Sequence, residues 1–467
     1  MSWAERIDTY DKTADPLADD TVARLMGHKT SQSMFDATRL SQANRLMAEW
    51  TTNGALAAWV PGVQGADPVV ADALRDYVSQ GMALPAWADA AKIERAESLF
   101  IDYGPMSCAL LFCASLPECY VLPDLAEVLH IAGQLEDHTE HRIRQTAAMI
   151  FPVMVKGGLT DSGGSGVAQI LRVRLIHATI RHMILRGNPS AVTGKVDRLQ
   201  HLPGQHADLH TALWRHGWDV GVQGLPCNQI ELAYTLLTFS YVFLRGMRKL
   251  GLGFSASDEE AFLHTWNVVG YILGIDESLM AHSMQDAEAM FAAIQKSGRL
   301  HPSQEDARPG LGRALIAALA SSIQLPVIKH FPVPMTRMLI GEKAADTVGV
   351  NEHLSWFTQA AFWLTLGFAR SVDAVVQLFL PHFALSRMLT RVVGYHLLTR
   401  FLLNQTIALS LPERVLHPLR LAAADWHEDT RQPDWVNRLE DRLTTAGYWH
   451  LPLGQAPAPV AGGEGRD

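Results

Sequence analysis

The chain has 467 residues, with 39 Lys and Arg against 48 Asp and Glu, so its formal net charge is −9. The basic residues are scattered rather than blocked, which excludes a nucleic-acid partner held through its phosphates. Length alone allows two to three domains around a large buried core. Cys108, Cys113, Cys119 and Cys227 form neither a disulfide framework nor a CxxC zinc site, and in their apolar surroundings they read as reduced, buried thiols. The opening residues have no basic n-region, apolar h-region or twin arginine, so no export signal is visible. No stretch offers the roughly 18 uninterrupted apolar residues of a membrane span. The expectation is a soluble, cytoplasmic protein, with peripheral membrane contact left open.

In chain order, amphipathic helices over 21–80 are interrupted near 54–61 and 65–68, and read as arms on a main body or as an oligomerisation surface. Leu84-Pro85-Ala86-Trp87 opens that body. A helix over 89–103 is broken by Gly104-Pro105, and a second, over 106–115, ends at Leu116-Pro117. After Pro123 comes an apolar helix to Gly133 that carries Glu127. This carboxylate is either a surface group on a half-exposed helix or, if buried, a candidate general base.

Asp137-His138-Thr139-Glu140 has the form of a capping box and starts a helix to Phe151. On it His138, Arg142, Gln145, Thr146 and Met149 share one side, and Pro152 ends or kinks it. The glycine-rich stretch 156–166 lacks both the preceding strand and the Gly-Lys-Ser/Thr ending of a phosphate cradle, so it reads as a connector or lid.

The helix expected over 169–186 organises the chain. Ile170, Val173, Ile176, His177, Ile180 and Ile184 fall on one apolar stripe, with Arg174 and Arg181 along its border. One reading is a core histidine satisfied by a carbonyl, with two snorkelling arginines. The other is a site for a flat apolar disc with anionic edges such as haem, with imidazole on iron and guanidinium on the propionates.

Further on, the histidines at 201, 206, 210 and 216 lack metal-ligand spacing. Pro226-Cys227-Asn228-Gln229 opens a long, centrally placed helix over 230–250. Asn228 and Gln229 either cap it or line a pocket, capping being the simpler reading. Ser257-Asp258-Glu259-Glu260 caps a helix through Trp266, Val269 and Ile272. Later helices are expected over 280–297, 305–323, 332–340 and 355–411, before a disordered tail at 456–467.

Several of these pieces occur together in a fixed order: Leu116-Pro117-Glu118-Cys119-Tyr120, Arg142-Ile143-Arg144-Gln145-Thr146, and Arg174-Leu175-Ile176-His177-Ala178-Thr179-Ile180-Arg181. Pro226-Cys227-Asn228-Gln229, Leu237-Thr238-Phe239-Ser240 and the run from Trp266 to Gly274 follow, with a fainter echo at 339–346. The ordered set resembles the catalytic domain shared by the latex-clearing rubber oxygenases and the MpaB-type oxygenases, over about 84–280.

The resemblance implies an all-α fold: a globin-like helical core with additional N- and C-terminal helices, binding haem b. It implies His177 as the proximal iron ligand, Glu127 as the catalytic glutamate, and Arg142 and Thr146 as polar groups of the distal helix. Where rubber oxygenases carry a distal lysine, this chain has Gln145, so the sixth iron position is expected to be open to O2. The domain expectation is a helical arm over 1–83, a haem-binding catalytic domain over 84–345, helices packed on it over 346–455, and the tail.

The function so implied is oxidation or cleavage of a C=C bond in an isoprenoid-like or other apolar unsaturated molecule, Glu127 removing an allylic proton and Arg142 and Thr146 steering polarity. Together, Gln145 and the missing export signal favour a small intracellular substrate over rubber itself. Three rivals stand beside it: a non-catalytic, globin-like haem binder, a rubber dioxygenase proper, and a structural helical protein. A di-iron site fails on counting, because Glu127-Val128-Leu129-His130 is a single Glu-x-x-His pair where two are needed.

Overall fold

In a computed structural model of the chain, the organising stretch is one 20-residue helix, Gly166–Leu185. The structure describes residues 3–27, 36–61, 67–133, 139–204, 208–298, 300, 305–323 and 329–350. The central helix begins at Gly166 rather than at 169 because its cap is supplied from far away in sequence. Asn53 Oδ1 accepts from the N–H groups of Val167 at 3.1 Å and Ala168 at 3.4 Å, satisfying donors that a helix start leaves open. The C-terminus closes as Arg186 turns left-handed (φ 56) and the Gly187 N–H reaches back to the His182 carbonyl at 3.0 Å.

The expected all-α architecture holds. Among the described residues the one pairing of strands is Arg198–Leu199 against Trp218–Asp219, antiparallel. The central helix packs on Pro16–Met26, Thr139–Met154, Leu209–Arg215 and Ala256–Leu273. Residues early in the chain thus belong to the core: Ala18, Val22, Leu25, Met26 and Trp50 are all buried. The Tyr77 hydroxyl donates to the Leu171 carbonyl at 2.9 Å.

Three local expectations are corrected. The segment expected to stop at Leu116-Pro117 continues: Gly104–Leu110 passes through a π turn, Leu111–Ser115, into Leu116–Cys119. There the Leu116 N–H bonds to the Leu111 carbonyl, five residues back, and the wider turn accommodates Pro117, which has no N–H to give. The long helix expected over 230–250 is two, Gln229–Phe239 and Tyr241–Lys249, divided at Ser240 (φ −101, ψ −74), whose hydroxyl donates to the Leu236 carbonyl.

The stretch 156–166, expected as a connector or lid, is tied down. Asn53 Nδ2 donates to the carbonyls of Gly158 and Asp161, the Asn53 and Gly54 N–H groups bond to Gly164 and Ser162, and Glu97 Oε2 accepts from the Gly157 N–H at 2.9 Å. A Cβ at Gly158 would stand 2.3 Å from the Pro152 carbonyl oxygen, so only glycine fits there.

Asn228 caps its helix as expected, accepting from the Glu231 N–H at 2.9 Å. Gln229 is a strut: its amide donates to the carbonyls of Ala14 and Gly274 and accepts from the Asp276 N–H. The cap at 257–260 shifts to Ser255, which starts Ala256–Leu273. The first half of the capping box at 137–140, His138, the helix expected over 355–411 and the tail at 456–467 lie outside the described residues. No single helix among the described residues is long and apolar enough to cross a membrane.

Candidate functional site

The central helix has two working sides. One side carries Val173, Ile176, His177 and Ile180 and forms a wall of a cavity of about 1500 Å³. The facing walls come from Pro123–Gly133 (Leu125, Val128 and Leu129), from Thr139–Met154 (Ile143, Gln145, Thr146 and Met149) and from Gln229–Phe239. Most of these groups are apolar, as in sites that bury most of a ligand's surface. Ordinary small-molecule sites occupy roughly 300–1,000 Å³, so this cavity is larger than most.

His177 is, with Arg172, one of two ionisable groups that the central helix presents to the cavity. Its Nδ1 is buried with no hydrogen-bond partner among the described residues, so Nε2 is the nitrogen the ring offers to the cavity. Burial, reinforced by the nearby Arg181 charge, lowers its pKa from 6.5 to about 4. At neutral pH the ring is therefore the free base, the form that ligates a metal. No group of three or more His, Cys, Asp or Glu among the described residues is placed to hold a metal ion. A metal at His177 would thus bring most of its ligands with it, as the iron of a porphyrin does.

The structure brings His177, Gln145 and Thr146 to the same cavity. It gives Arg174 and Arg181 other work, and the expectation that they edge the cofactor is corrected. Arg174 forms a buried, two-pronged ion pair with Asp15 (Nε–Oδ2 2.5 Å, Nη2–Oδ1 2.7 Å) and donates to the Ile272 carbonyl. Arg181, 1% exposed, pairs with Asp19 at 2.8–2.9 Å and donates to the Cys227 carbonyl. Neither lines the cavity. Both face Pro16–Met26 and its cap, because an arginine on the far side of this helix meets that element rather than solvent.

Glu127 is buried, as the catalytic reading requires, but its carboxylate lies 3.0 Å from His216 Nε2 and is not among the cavity-lining groups. Arg142 falls within Thr139–Met154, and its side chain is outside the described set.

Arg172 and Glu231 are among the polar cavity residues that the sequence reading did not single out, and His130 and His210 also line the cavity. Arg172 lines the cavity, its guanidinium held by the carbonyls of Met47 and Trp50, with no carboxylate pairing it among the described residues. Burial lowers its pKa. It is the cation of the central helix that can meet an anionic group in the cavity, and its position one residue before the Val173 stripe is the signal that marks it. Glu231 also lines the cavity, from the first turn of Gln229–Phe239.

These elements define a class: an almost wholly helical protein built around a large, mostly apolar cavity whose lining includes His130, His177 and His210. A family model described as the catalytic domain of the ER-bound oxygenase mpaB/B′ and rubber oxygenase matches residues 108–371. The chain belongs to that family. The rubber oxygenase of Streptomyces sp. (strain K30) is 22% identical over 322 residues, covering 68% of each chain. Among solved structures, latex clearing protein LCP in the closed state shares the fold, with a TM-score of 0.56 at 17% identity, over 89% of this chain and 91% of that one.

Proposed function

We propose that this protein is a haem b-dependent oxygenase that cleaves or oxidises a C=C bond of a small, apolar, isoprenoid-like substrate. The observation that carries the reading is His177: a neutral imidazole on the wall of a large, mostly apolar cavity. Family membership supplies the oxygenase chemistry, and the residues present fit the group. His177 would hold the iron, Arg172 is placed to meet an anionic edge, and the Leu, Ile and Val side chains would enclose an apolar face. Haem, when bound, supplies the centre at which O2 is activated.

The chain's own residues do the rest. Val173, Ile176 and Ile180 make the His177 side apolar, and Leu125, Val128 and Leu129 do the same opposite. Thr146 places a hydroxyl and Gln145 an amide on the facing wall, neither of them a strong iron ligand, and His130 adds an imidazole to the lining from Pro123–Gly133. In this account Glu127 acts as a base only if its carboxylate leaves His216 and turns into the cavity. As it stands, it anchors Pro123–Gly133 against the segment of His216.

The test is turnover. The purified protein is incubated with O2 and short unsaturated isoprenoids, and oxygen uptake and carbonyl-ended products are followed. Uptake and products that vanish in His177→Ala support the reading. Turnover unaffected by that substitution would contradict it.

A further inference from the structure

The His177 ring makes no orienting bond of its own among the described residues, since its buried Nδ1 meets no partner there. A histidine that ligates a metal ordinarily donates that N–H to a carboxylate, a carbonyl or a water, which fixes the direction of the ring. Here the carboxylates stand one step back, on the helix rather than on the ring. Arg174 lies three residues before His177 and Arg181 four after it, about one turn to either side. Both oxygens of Asp15 and the Ile272 carbonyl grip Arg174. Asp19 and the Cys227 carbonyl hold Arg181. The two acids are tied to each other as well, because Asp19 Oδ2 accepts from the Asp15 N–H at 3.0 Å. The result is a closed frame around the segment that carries His177. Apolar packing is non-directional, whereas a slip of one residue turns a helix by about 100° and would carry His177 off the cavity wall. A planar guanidinium met at both prongs by a carboxylate does not tolerate such a turn. Stability does not account for the frame, because apolar groups of similar volume are often as good as a buried ion pair or better. Asp15 and Asp19 also lie outside the matched catalytic domain, 108–371.

We propose that Asp15 and Arg174, backed by Asp19 and Arg181, are positioning residues for His177. They fix the rotation and register of the central helix, and thereby the direction in which Nε2 meets the cavity. None of the four lines the cavity. The frame sets the direction of the ring, not the affinity for a cofactor. The inference deepens the haem reading and rests on it for what Nε2 is aimed at. The alignment of the ring is measured whether or not haem is bound.

The probe is the His177 ring itself, in full-length protein isotope-labelled at histidine Cε1. The protein is used as purified, reduced with dithionite under carbon monoxide so that any haem is diamagnetic. The His177 resonance is identified by its absence in His177→Gln. One sharp resonance is expected in the wild type. Asp15→Asn combined with Arg174→Met strands no charge and keeps a cap for Pro16–Met26, so its urea midpoint is expected near that of the wild type. Its His177 resonance is expected to split or broaden. Arg174→Lys keeps the charge without the fork and is expected to do the same, which covers a double variant that fails to fold. A sharp, wild-type-like resonance in either folded variant overturns the proposal. So does a resonance disturbed only where the urea midpoint falls with it, because the frame would then be structural alone. A colourless protein whose His177 resonance depends on the frame would end the haem reading and leave this one standing. A haem protein whose resonance ignores both variants would do the reverse.

Discussion

The reassignment of Arg181 from cofactor to fold gives the sharpest prediction. Its guanidinium is 1% exposed and its carboxylate partner, Asp19, is 2% exposed, at 2.8–2.9 Å. Removing one member of such a pair strands the other charge, at a cost of about 3–5 kcal/mol. Asp19→Leu, which removes the charge and the hydrogen-bond acceptor together, is therefore expected to lower the unfolding free energy by that amount, because the arginine cannot shed its charge. Arg181→Met is expected to cost less, since the carboxyl left behind can take up a proton. Replacing both by apolar residues of similar volume, Asp19→Leu with Arg181→Met, is expected to be neutral or stabilising.

The pH dependence has a definite sign. Burial outweighs the pull of Arg181 and raises the Asp19 pKa from 3.8 to about 6. A raised folded-state value gives stabilisation that is complete below about 3.8 and lost as pH rises through about 6. Across that window it amounts to about 3 kcal/mol. The wild type should hold Pro16–Met26 more firmly at pH 5 than at pH 7, and the double variant should show no such window. Urea unfolding followed by tryptophan fluorescence reads stability, and haem content in the same samples reads the cofactor. A double variant that folds but no longer retains haem would show that Arg181 serves the cofactor and would refute the argument.

The other predictions concern the surroundings of the site. Gly274 is left-handed (φ +86), and a Cβ there would stand 2.6 Å from Asp15 Oδ2 and 2.7 Å from the Arg174 guanidinium. Gly274→Ala should therefore destabilise by about 2 kcal/mol or more, read as a lower unfolding midpoint; an unchanged midpoint counts against the packing described. Burial raises the Glu97 pKa from 4.5 to about 7. Its stabilising contribution is thus present at acidic pH and lost as pH rises through about 7. Amide exchange at Gly157 and Gly158 should quicken between pH 6 and 8 beyond the intrinsic rate, and Glu97→Gln should remove that excess. Arg172→Met should weaken haem retention roughly tenfold or more, the size of a lost charge-assisted hydrogen bond, without a matching loss of stability; full retention would assign Arg172 to the Met47 and Trp50 carbonyls alone.

Helical periodicity was enough to read the all-α fold and most helix positions. His177 was legible because an imidazole in an otherwise apolar stripe has few places to go but a core or a cavity. Local pattern failed where a partner distant in sequence decides the outcome. Nothing near 166 announces that Asn53 will cap the central helix and pin 156–164, and nothing near 174 or 181 announces Asp15 and Asp19. The charge on those arginines was visible, but its direction was not, because helix Pro16–Met26 chooses the side they face. Glu231 was hidden for a different reason: an acid three residues after Asn228 reads as a routine cap, and only the geometry of its unbonded oxygens sets it apart. The break at Ser240 and the π turn before Pro117 are backbone responses to packing that an apolar run does not encode.

The central claim is that His177 holds haem iron in this cavity. Absorption spectra of the purified protein, oxidised and dithionite-reduced, together with a pyridine haemochrome assay, test it most directly. The account predicts a Soret band, about one haem b per chain, and loss or displacement of the band in His177→Ala with the fold intact. A protein that is colourless as purified and stays colourless after reconstitution with haem would contradict it.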